Sequence, residues 1–458
     1  MANPVKTALA VGACKAVRSA LRTLHRGGTT TPGKVAMKID GNILSTVSTG
    51  MDIIVVTGTN GKTTTSNMIE HALTSAGYDV LANKSGANLL PGVTAEFTSS
   101  ASFFGKPKKR YAVIECDEGA LKQVVPKIRP KVIVVTNLFR DQLDRYGEVM
   151  HTRDEIRKGI DLVPEAVLCL NADDSLVASL ALDAPNPVVY YGLDTPVGDQ
   201  DNVEISDARY CIRCGTEYEY SYHTYAHLGG FSCPKCGYRR MDTEVAVEQI
   251  KKSSSRGMEV EMRLGTEKRD VTVGLPAVYN LYNAVAAICA YRTAGFETEQ
   301  IIGSLADVSS SFGRMETFDL DGVPVQMILV KNPAGCNQAL SYLAGLGEDY
   351  QAVFCLNDRT ADGHDISWIW DADFEMVCQD PHLKHAYVMG DRAEDMQLRL
   401  KYGDASEADI EIAANNDVLI EKMRKSEVPV FILPNYTSML SLRAALGAVT
   451  GKAEFWKG

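Results

Sequence analysis

An α/β fold built on parallel, doubly wound sheets is the class this sequence predicts, on three observations. β-Branched runs of strand length alternate with helix-length segments from Asp52 onward, the pattern of strands buried on both faces and joined by crossover helices. The first run, DIIVV (Asp52–Val56), leads straight into TGTNGKTTT (Thr57–Thr65) and then a helical period, which is the order strand, phosphate-holding turn, helix. The stretch from Asp207 to Met241 breaks the rhythm. It is rich in Tyr, Cys and Gly without a long helical period, and so reads as an insertion.

At 458 residues the chain has room for roughly two to four domains. With 45% hydrophobic and 23% charged residues, it has the composition of a globular protein with ample core. A net charge of -11 argues against bulk electrostatic binding to nucleic acid and leaves only a local basic patch open. No apolar run approaches the roughly 18 residues of a spanning helix; the cysteine pattern described below suits a reducing cytoplasm, where the protein is expected.

Residues 1–50 read as a basic amphipathic helix and linker. Val5, Leu9, Ala13, Ala16, Val17, Ala20, Leu21 and Leu24 recur at helical spacing, with Lys6, Lys15, Arg18, Arg22 and Arg26 interleaved and no acid before Asp40. Three readings are open: contact with an anionic membrane surface, packing on this protein or a partner with a solvated basic face, or an organelle transit segment. The continuous apolar centre of a signal peptide is missing. GGTTTPGK (Gly27–Lys34) reads as a turn-rich linker.

Residues 51–312 read as a central nucleotide-binding domain with 207–241 inserted in it. Strands are expected at Asp52–Val56, Tyr111–Cys116, Lys131–Asn137 and Ala166–Asn171, with helices over Thr63–Ala76 and from near Tyr279. SSSFGRMETF (Ser309–Phe318) reads as a hinge. Residues 313–458 form a second, Rossmann-like α/β domain, with strands at Ala352–Asn357, His385–Gly390 and Val428–Asn435.

The glycine turn is a shortened phosphate grip. In the common G-x-x-x-x-G-K-[ST] form the first glycine would fall at Val56, whereas here it is Gly58. The working parts remain: Gly61, Lys62 for phosphate charge, Thr63 for magnesium, and a helix N-terminus. The strand Tyr111–Cys116 runs into Glu115, Asp117 and Glu118. A hard cation takes one or two carboxylates with phosphate oxygens; Glu115 is the first choice, while Asp117 and Glu118 suit a helix N-terminal acid cluster. TNLFRDQLDRYGE adds Asn137, Asp141, Gln142 and Asp144 at the same sheet edge.

Of eleven cysteines, seven lie singly in apolar contexts. Cys211, Cys214, Cys233 and Cys236 form C-x2-C-x18-C-x2-C, the spacing of a closed, structural Zn²⁺ ribbon in a reducing compartment; iron is the other ion such a set accepts. Arg213, Lys235, Arg239 and Arg240 surround it and fit either nucleic acid or the solvated face of a stabilising module. No cysteine occupies the G-x-C-x-G elbow of a glutaminase nucleophile; Cys14 in GACKA comes nearest. The loop LNDRTADGHDISW (Leu356–Trp368) gathers Asp358, Asp362, His364 and Asp365, which could bind metal, orient a partner's histidine, or form capped turns.

TGTNGKTTT, TNLFRDQLDRYG, LNADD (Leu170–Asp174), YNLYNAVAA (Tyr279–Ala287) and GRME (Gly313–Glu316), in that order, resemble the Mur ligase family. Members phosphorylate a carboxylate with ATP and let an amine attack the acyl phosphate. The resemblance implies that Thr59, Asn60, Gly61, Lys62, Thr63 and Thr64 hold phosphates, that Thr63 and Glu115 hold Mg²⁺, that Asn280 touches the adenine side, and that Arg314 reaches the nucleotide. Two positions depart from the pattern. Gln142 stands where many members have His, and ILVKNP (Ile328–Pro333) keeps Asn332 and Pro333 but has Ile328 and Lys331 for Asp and His, so an ordinary amino acid is not the expected nucleophile. The ribbon, the Asp365 loop and PNYTS (Pro434–Ser438) are similar to a branch of the family that works with a GatD-like glutamine amidotransferase. That branch amidates the D-glutamate α-carboxylate of lipid II in cell-wall peptidoglycan synthesis. There Asp365 would complete the partner's Cys-His pair. A stand-alone amino acid or glutamate-tail ligase, and an ATP-binding zinc-ribbon protein acting on nucleic acid, are the rival readings.

Overall fold

β1 (Asp52–Thr57) is the strand from which the nucleotide turn issues, and all of it beyond Asp52 is buried. The computed structural model describes residues 3–23, 30–83, 87–140, 149–197, 207–254, 257–308 and 314–451. The chain divides into two compact units, one ending at Val308 and the other made chiefly of Ser309–Gly458.

In the first unit β1 lies between β3 (Tyr111–Glu115) and β4 (Val132–Val135), parallel to both. β2 (Val80–Ala82) extends the sheet beyond β3, and β5 (Val167–Asn171) and β6 (Val188–Leu193) extend it beyond β4, all parallel. Fully buried Val, Ile and Leu on both faces of these strands explain their unbroken apolar runs. The sheet does not stay parallel. β9 (Val245–Ser254) joins β6 parallel, and β10 (Gly257–Leu264) and β11 (Glu267–Val273) continue it as an antiparallel ladder. This differs from the wholly parallel sheet the sequence predicts. Its signal is the alternation in GMEVEMRL, whose Met258, Val260, Met262 and Leu264 are buried between more exposed neighbours.

The N-terminal segment is three helices rather than one and a linker: α1 (Pro4–Thr23), α2 (Thr31–Ile39) and α3 (Ile43–Ser48). The turn-like TPGK opens α2 because Pro32 occupies its first turn, where a missing N–H costs nothing. Gly33 is there for contact: a Cβ on it would meet the Pro91 carbonyl oxygen of α5 (Leu90–Ser100) at 1.8 Å. α1 is helical as predicted, but its buried face is Thr7, Ala10, Val11 and Cys14. Val5 and Leu9 of the predicted stripe are exposed.

The insertion is a small module around the hairpin β7 (Glu219–Tyr225) and β8 (Leu228–Ser232). In the second unit, the antiparallel pair β12 (Arg314–Leu320) and β13 (Val323–Ile328) leads into parallel β17 (Val430–Pro434), β14 (Tyr350–Cys355), β15 (Leu383–Met389) and β16 (Ile410–Ile412), in that spatial order. The segment read as a hinge thus becomes strand from Arg314; residues 309–313 lie outside the described residues.

Candidate functional site

Ligand sites of doubly wound sheets form at the strands' carboxyl ends, and that is where the turn after β1 sits. Gly58 has φ 117° and Gly61 φ 85°, backbone that side chains rarely adopt. A Cβ on Gly58 would meet Thr136 Oγ1 at 2.3 Å, and one on Gly61 would meet Asn283 Oδ1 at 2.1 Å. Neighbouring elements therefore press on both glycines. Asn137, at the end of β4, clamps the turn: its Oδ1 accepts from the Asn60 N–H at 2.9 Å and its Nδ2 donates to the Asn60 carbonyl at 3.2 Å. Thr136 Oγ1 donates to the same carbonyl at 2.7 Å. The Thr59 hydroxyl accepts from the Phe139 N–H at 3.1 Å.

α4 (Lys62–Ser75) starts at this turn, with Gly61 as its cap and Lys62, Thr63 and Thr64 buried in its first turn. The Lys62 ammonium donates to the Gly58 carbonyl at 2.6 Å and to Glu118 at 2.7 Å. Burial disfavours its charge, but Glu118, Glu115 and Asp117 outweigh that and hold its pKa above the ordinary value. Thr63 donates its hydroxyl proton to Glu115 Oε2 at 2.6 Å. Asn88 donates to Glu115 Oε1 at 3.2 Å, and Asn83 brackets the Glu115 backbone with bonds of 2.8 and 2.9 Å. Glu115 is thus a carboxylate held in place beside Thr63.

Glu118 is not a helix-start acid. α6 begins only at Leu121 (Leu121–Ile128), and the turn after β3 carries Glu118 back to Lys62. Asp117 keeps the local role, accepting from the Gly119 N–H at 3.1 Å. Asn280 is buried; it donates to the Pro276 carbonyl at 2.6 Å and accepts from Asn283 at 3.1 Å. Asn283 in turn accepts from Thr65 at 3.3 Å, so the helix Val278–Thr293 braces the grip. Asp141, Gln142 and Asp144 lie outside the described residues, as does the side chain of Arg314. Asn83, Asn88 and Asn283 went unread in sequence because single asparagines carry no spacing signal.

The four cysteines converge. One ligand atom from each of Cys211, Cys214, Cys233 and Cys236 lies within 4.8 Å of the others, with Sγ pairs at 3.5 and 3.4 Å. Thiolates set tetrahedrally at about 2.3 Å from zinc stand about 3.8 Å apart, so the donor set and its spacing fit that ion. Both C-x-x-C turns repeat one backbone form. Gly215 and Gly237 have φ 71° and 72°, and each N–H returns to the carbonyl of its turn's first cysteine, at 2.8 and 3.1 Å.

Arg240 does not belong to a free basic face. Its guanidinium reaches Asp173 and Asp194 at 2.6 Å each, and the Tyr282 hydroxyl donates to Asp173 at 2.5 Å. Burial raises the Asp173 carboxyl pKa although Arg240 and Tyr282 favour its charge. Arg240 thereby fastens the ribbon to the main sheet, which removes a principal cation from the nucleic-acid reading.

In the second unit Asp362 ties its loop to the helix Tyr436–Thr450, accepting from both the backbone and the hydroxyl of Thr437. His364 Nδ1 lies 2.7 Å from the Asp358 carbonyl. Asp365 is half-buried and accepts from the Ser367 N–H at 2.8 Å; hydrogen bonds from Ser367 hold its pKa below the usual carboxylate range. The loop is therefore built of capped turns, and Ser367 favours the charged form of Asp365 within it. Lys331 precedes Asn332, which caps the helix Pro333–Ala344 by accepting from the Gly335 N–H at 2.8 Å.

The Mur ligase middle domain model matches residues 56–291, and the MurT ligase C-terminal model matches residues 329–439. The chain is 34% identical over 438 residues to the lipid II isoglutaminyl synthase (glutamine-hydrolyzing) subunit MurT of Staphylococcus aureus strain COL, covering 94% of this chain and 95% of that protein. The subunit of the same name from Streptococcus pneumoniae strain R6 is 32% identical over 97% of this chain and 98% of its own length. Among solved structures, a pseudomurein peptide ligase type C from Methanothermus fervidus has a similar fold, with TM-score 0.66 at 20% identity over 87% of this chain and 79% of that one. With both models matched in order and its MurT relatives aligned almost end to end, the chain belongs to the MurT branch of the Mur ligase family of ATP-dependent ligases.

Proposed function

We propose that this chain is the ATP-using subunit that amidates the α-carboxylate of D-glutamate in lipid II, with ammonia delivered by a GatD-like glutamine amidotransferase. A carboxylate oxygen of the substrate attacks the γ-phosphorus of ATP, and ADP leaves. The nitrogen lone pair of ammonia then attacks the acyl carbon, the carbon–oxygen bond to phosphate breaks, and the amide forms with loss of one nitrogen proton to the medium. Neither transfer needs covalent help from the protein; both need position and charge neutralisation.

Thr59, Asn60, Gly61 and Thr64 would hold phosphate oxygens, Lys62 the β/γ charge, and Thr63 with Glu115 a Mg²⁺ ion, which supplies Lewis-acid charge at the phosphates. Asn280 would touch the adenine side of the nucleotide, and Arg314 would reach the nucleotide. Zinc at the four cysteines would be structural, since a set of four thiolates leaves no open position. Lipid II is membrane-anchored, so the work would be done at the cytoplasmic face of the membrane.

The observation that carries the two-subunit reading is the state of the cysteines. Four form the ribbon cluster, and Cys14, Cys116, Cys169, Cys289, Cys336 and Cys355 are buried. Burial pushes the half-buried Cys378 up to about 12. Outside the ribbon cluster no cysteine resembles an activated thiolate, which supports a nitrogen source on another chain, and Asp365 offers a carboxylate suited to orienting that chain's histidine.

The test is ATP hydrolysis and amide formation on lipid II, with glutamine and a co-purified amidotransferase, and separately with ammonium. Amide formed only when a nitrogen source is added supports the reading; amino acid addition by the chain alone overturns it.

A further inference from the structure

α1 has two apolar faces, and the fold uses one. Thr7, Ala10, Val11 and Cys14 are buried, and Arg18 anchors this side through Glu96 at 2.9 Å. On the other side Val5 is 68% and Leu9 60% exposed, and Ala16 and Ala20 continue the stripe. At 3.6 residues per turn these four positions fall within an arc of about 60°.

A loop from outside the helix enlarges this stripe. Phe103 and Phe104 are 61% and 76% exposed. The loop is pressed onto α1 at two points: a Cβ on Gly12 would stand 3.5 Å from the Phe103 ring, and one on Gly105 (φ 77°) would meet Thr7 Cγ2 at 2.5 Å. Lys15 fastens it further, donating to the Ala101 carbonyl at 2.6 Å with its ammonium 5.5 Å from the Phe103 ring centroid. Helix stripe and aromatic tip thus form one surface.

Its charge has one sign. Lys6, Lys106 and Lys108 are exposed around it, and neither α1 nor residues 101–110 contain an acid. The acids bonded to α1 face away: Asp40 accepts from Thr7 at 3.1 Å, and Glu96 is taken by Arg18. This cationic, apolar surface stands on a chain of net charge -11, while no described helix is long and apolar enough to cross a membrane.

We infer that Val5, Leu9, Phe103 and Phe104, ringed by Lys6, Lys106 and Lys108, form a peripheral docking surface for anionic lipid. The aromatic tip and aliphatic stripe enter the headgroup boundary while the lysines neutralise lipid phosphates. The inference deepens the membrane-face part of the proposed function and rests on that reading for its purpose, though not for its test.

The full chain is floated with phosphatidylglycerol/phosphatidylcholine vesicles and with phosphatidylcholine alone, at low and high salt. Binding to the anionic vesicles, weakened by salt, is expected, with at least a tenfold loss in Phe103→Ser/Phe104→Ser and in Lys106→Glu/Lys108→Glu at unchanged melting temperature. Equal binding to both vesicle types, no binding, or variants that float like the parent would overturn it. So would variants that instead dissociate a dimer or release the amidotransferase in light scattering, since a protein would then own the surface. Turnover separates this inference from the ligase reading. The Phe variant should keep the parent's rate on a water-soluble, short-chain substrate and lose it on vesicle-embedded lipid II. A parent inactive on both refutes the ligase reading and leaves flotation to decide the docking.

Discussion

The ammonium of Lys62 and the carboxylate of Glu118 form a 2.7 Å ion pair with both side chains less than a tenth exposed. A charge buried in this way needs a counter-charge at all times. Phosphate oxygens arriving at the turn would compete with Glu118 for the same ammonium. Lys62→Ala is expected to lower ATP-dependent amide formation by at least ~100-fold, the scale of losing one preorganised charge contact. It also strands Glu118, so Lys62→Met/Glu118→Gln serves as the folded control. Should that control melt like the parent and still make amide at the parent's rate, Lys62 has no part in the chemistry.

Glu115 meets Thr63 at 2.6 Å and is bracketed by two asparagines. Glu115→Gln keeps the shape and removes the charge a hard cation requires. The Mg²⁺ concentration for half-maximal rate should rise about tenfold or more. A Mg²⁺ titration superimposing on the parent's would place the metal elsewhere.

The proposed role of Asp365 concerns a different half-reaction. Asp365→Asn should lose most glutamine-dependent amidation, by ~100-fold or more on the scale of a triad orienting group, and keep the reaction driven by free ammonium. Equal loss of both rates would show that Asp365 serves the ligase step or the fold.

Arg240 and Asp173 join the ribbon to the sheet at 2.6 Å, with Asp173 fully buried. Breaking a buried pair from one side costs about 3–5 kcal/mol. Arg240→Ala should therefore lower the urea midpoint markedly, and adding Asp173→Asn should restore part of the loss. If the single and double variants unfold alike, the pair is not what holds the module. With zinc held by the four cysteines as proposed, a strong chelator should unfold the ribbon locally and raise proteolysis at residues 207–241.

Glu155 gives the pH test. Hydrogen bonds from Lys122 and Lys158 hold its pKa down to about 2, against an ordinary value of 4.5. A depressed carboxylate stabilises the fold above its unfolded pKa, and that contribution is lost as pH falls through the folded one. The stability difference between the parent and Glu155→Gln should thus be constant above about pH 5 and shrink toward zero near pH 2. A difference independent of pH would mean the ion pairs contribute nothing.

Elements whose signal is local are legible in the order of residues alone. The apolar run before TGTNGKTTT reads as a buried strand feeding a glycine turn, the two C-x-x-C pairs read as closing on one centre, and both fold that way. Which neighbours meet is set only when the chain folds. Glu118 turns back to Lys62 instead of starting a helix, Arg240 is spent on Asp173, and α1 buries the face of Thr7 and Cys14 while leaving Val5 and Leu9 outside. The physical reason is the range of the forces involved. Strand and turn propensities act over a few residues. Ion pairs and helix faces are chosen by whichever partner the folded chain brings within a few ångströms, and no spacing in one sequence records that choice.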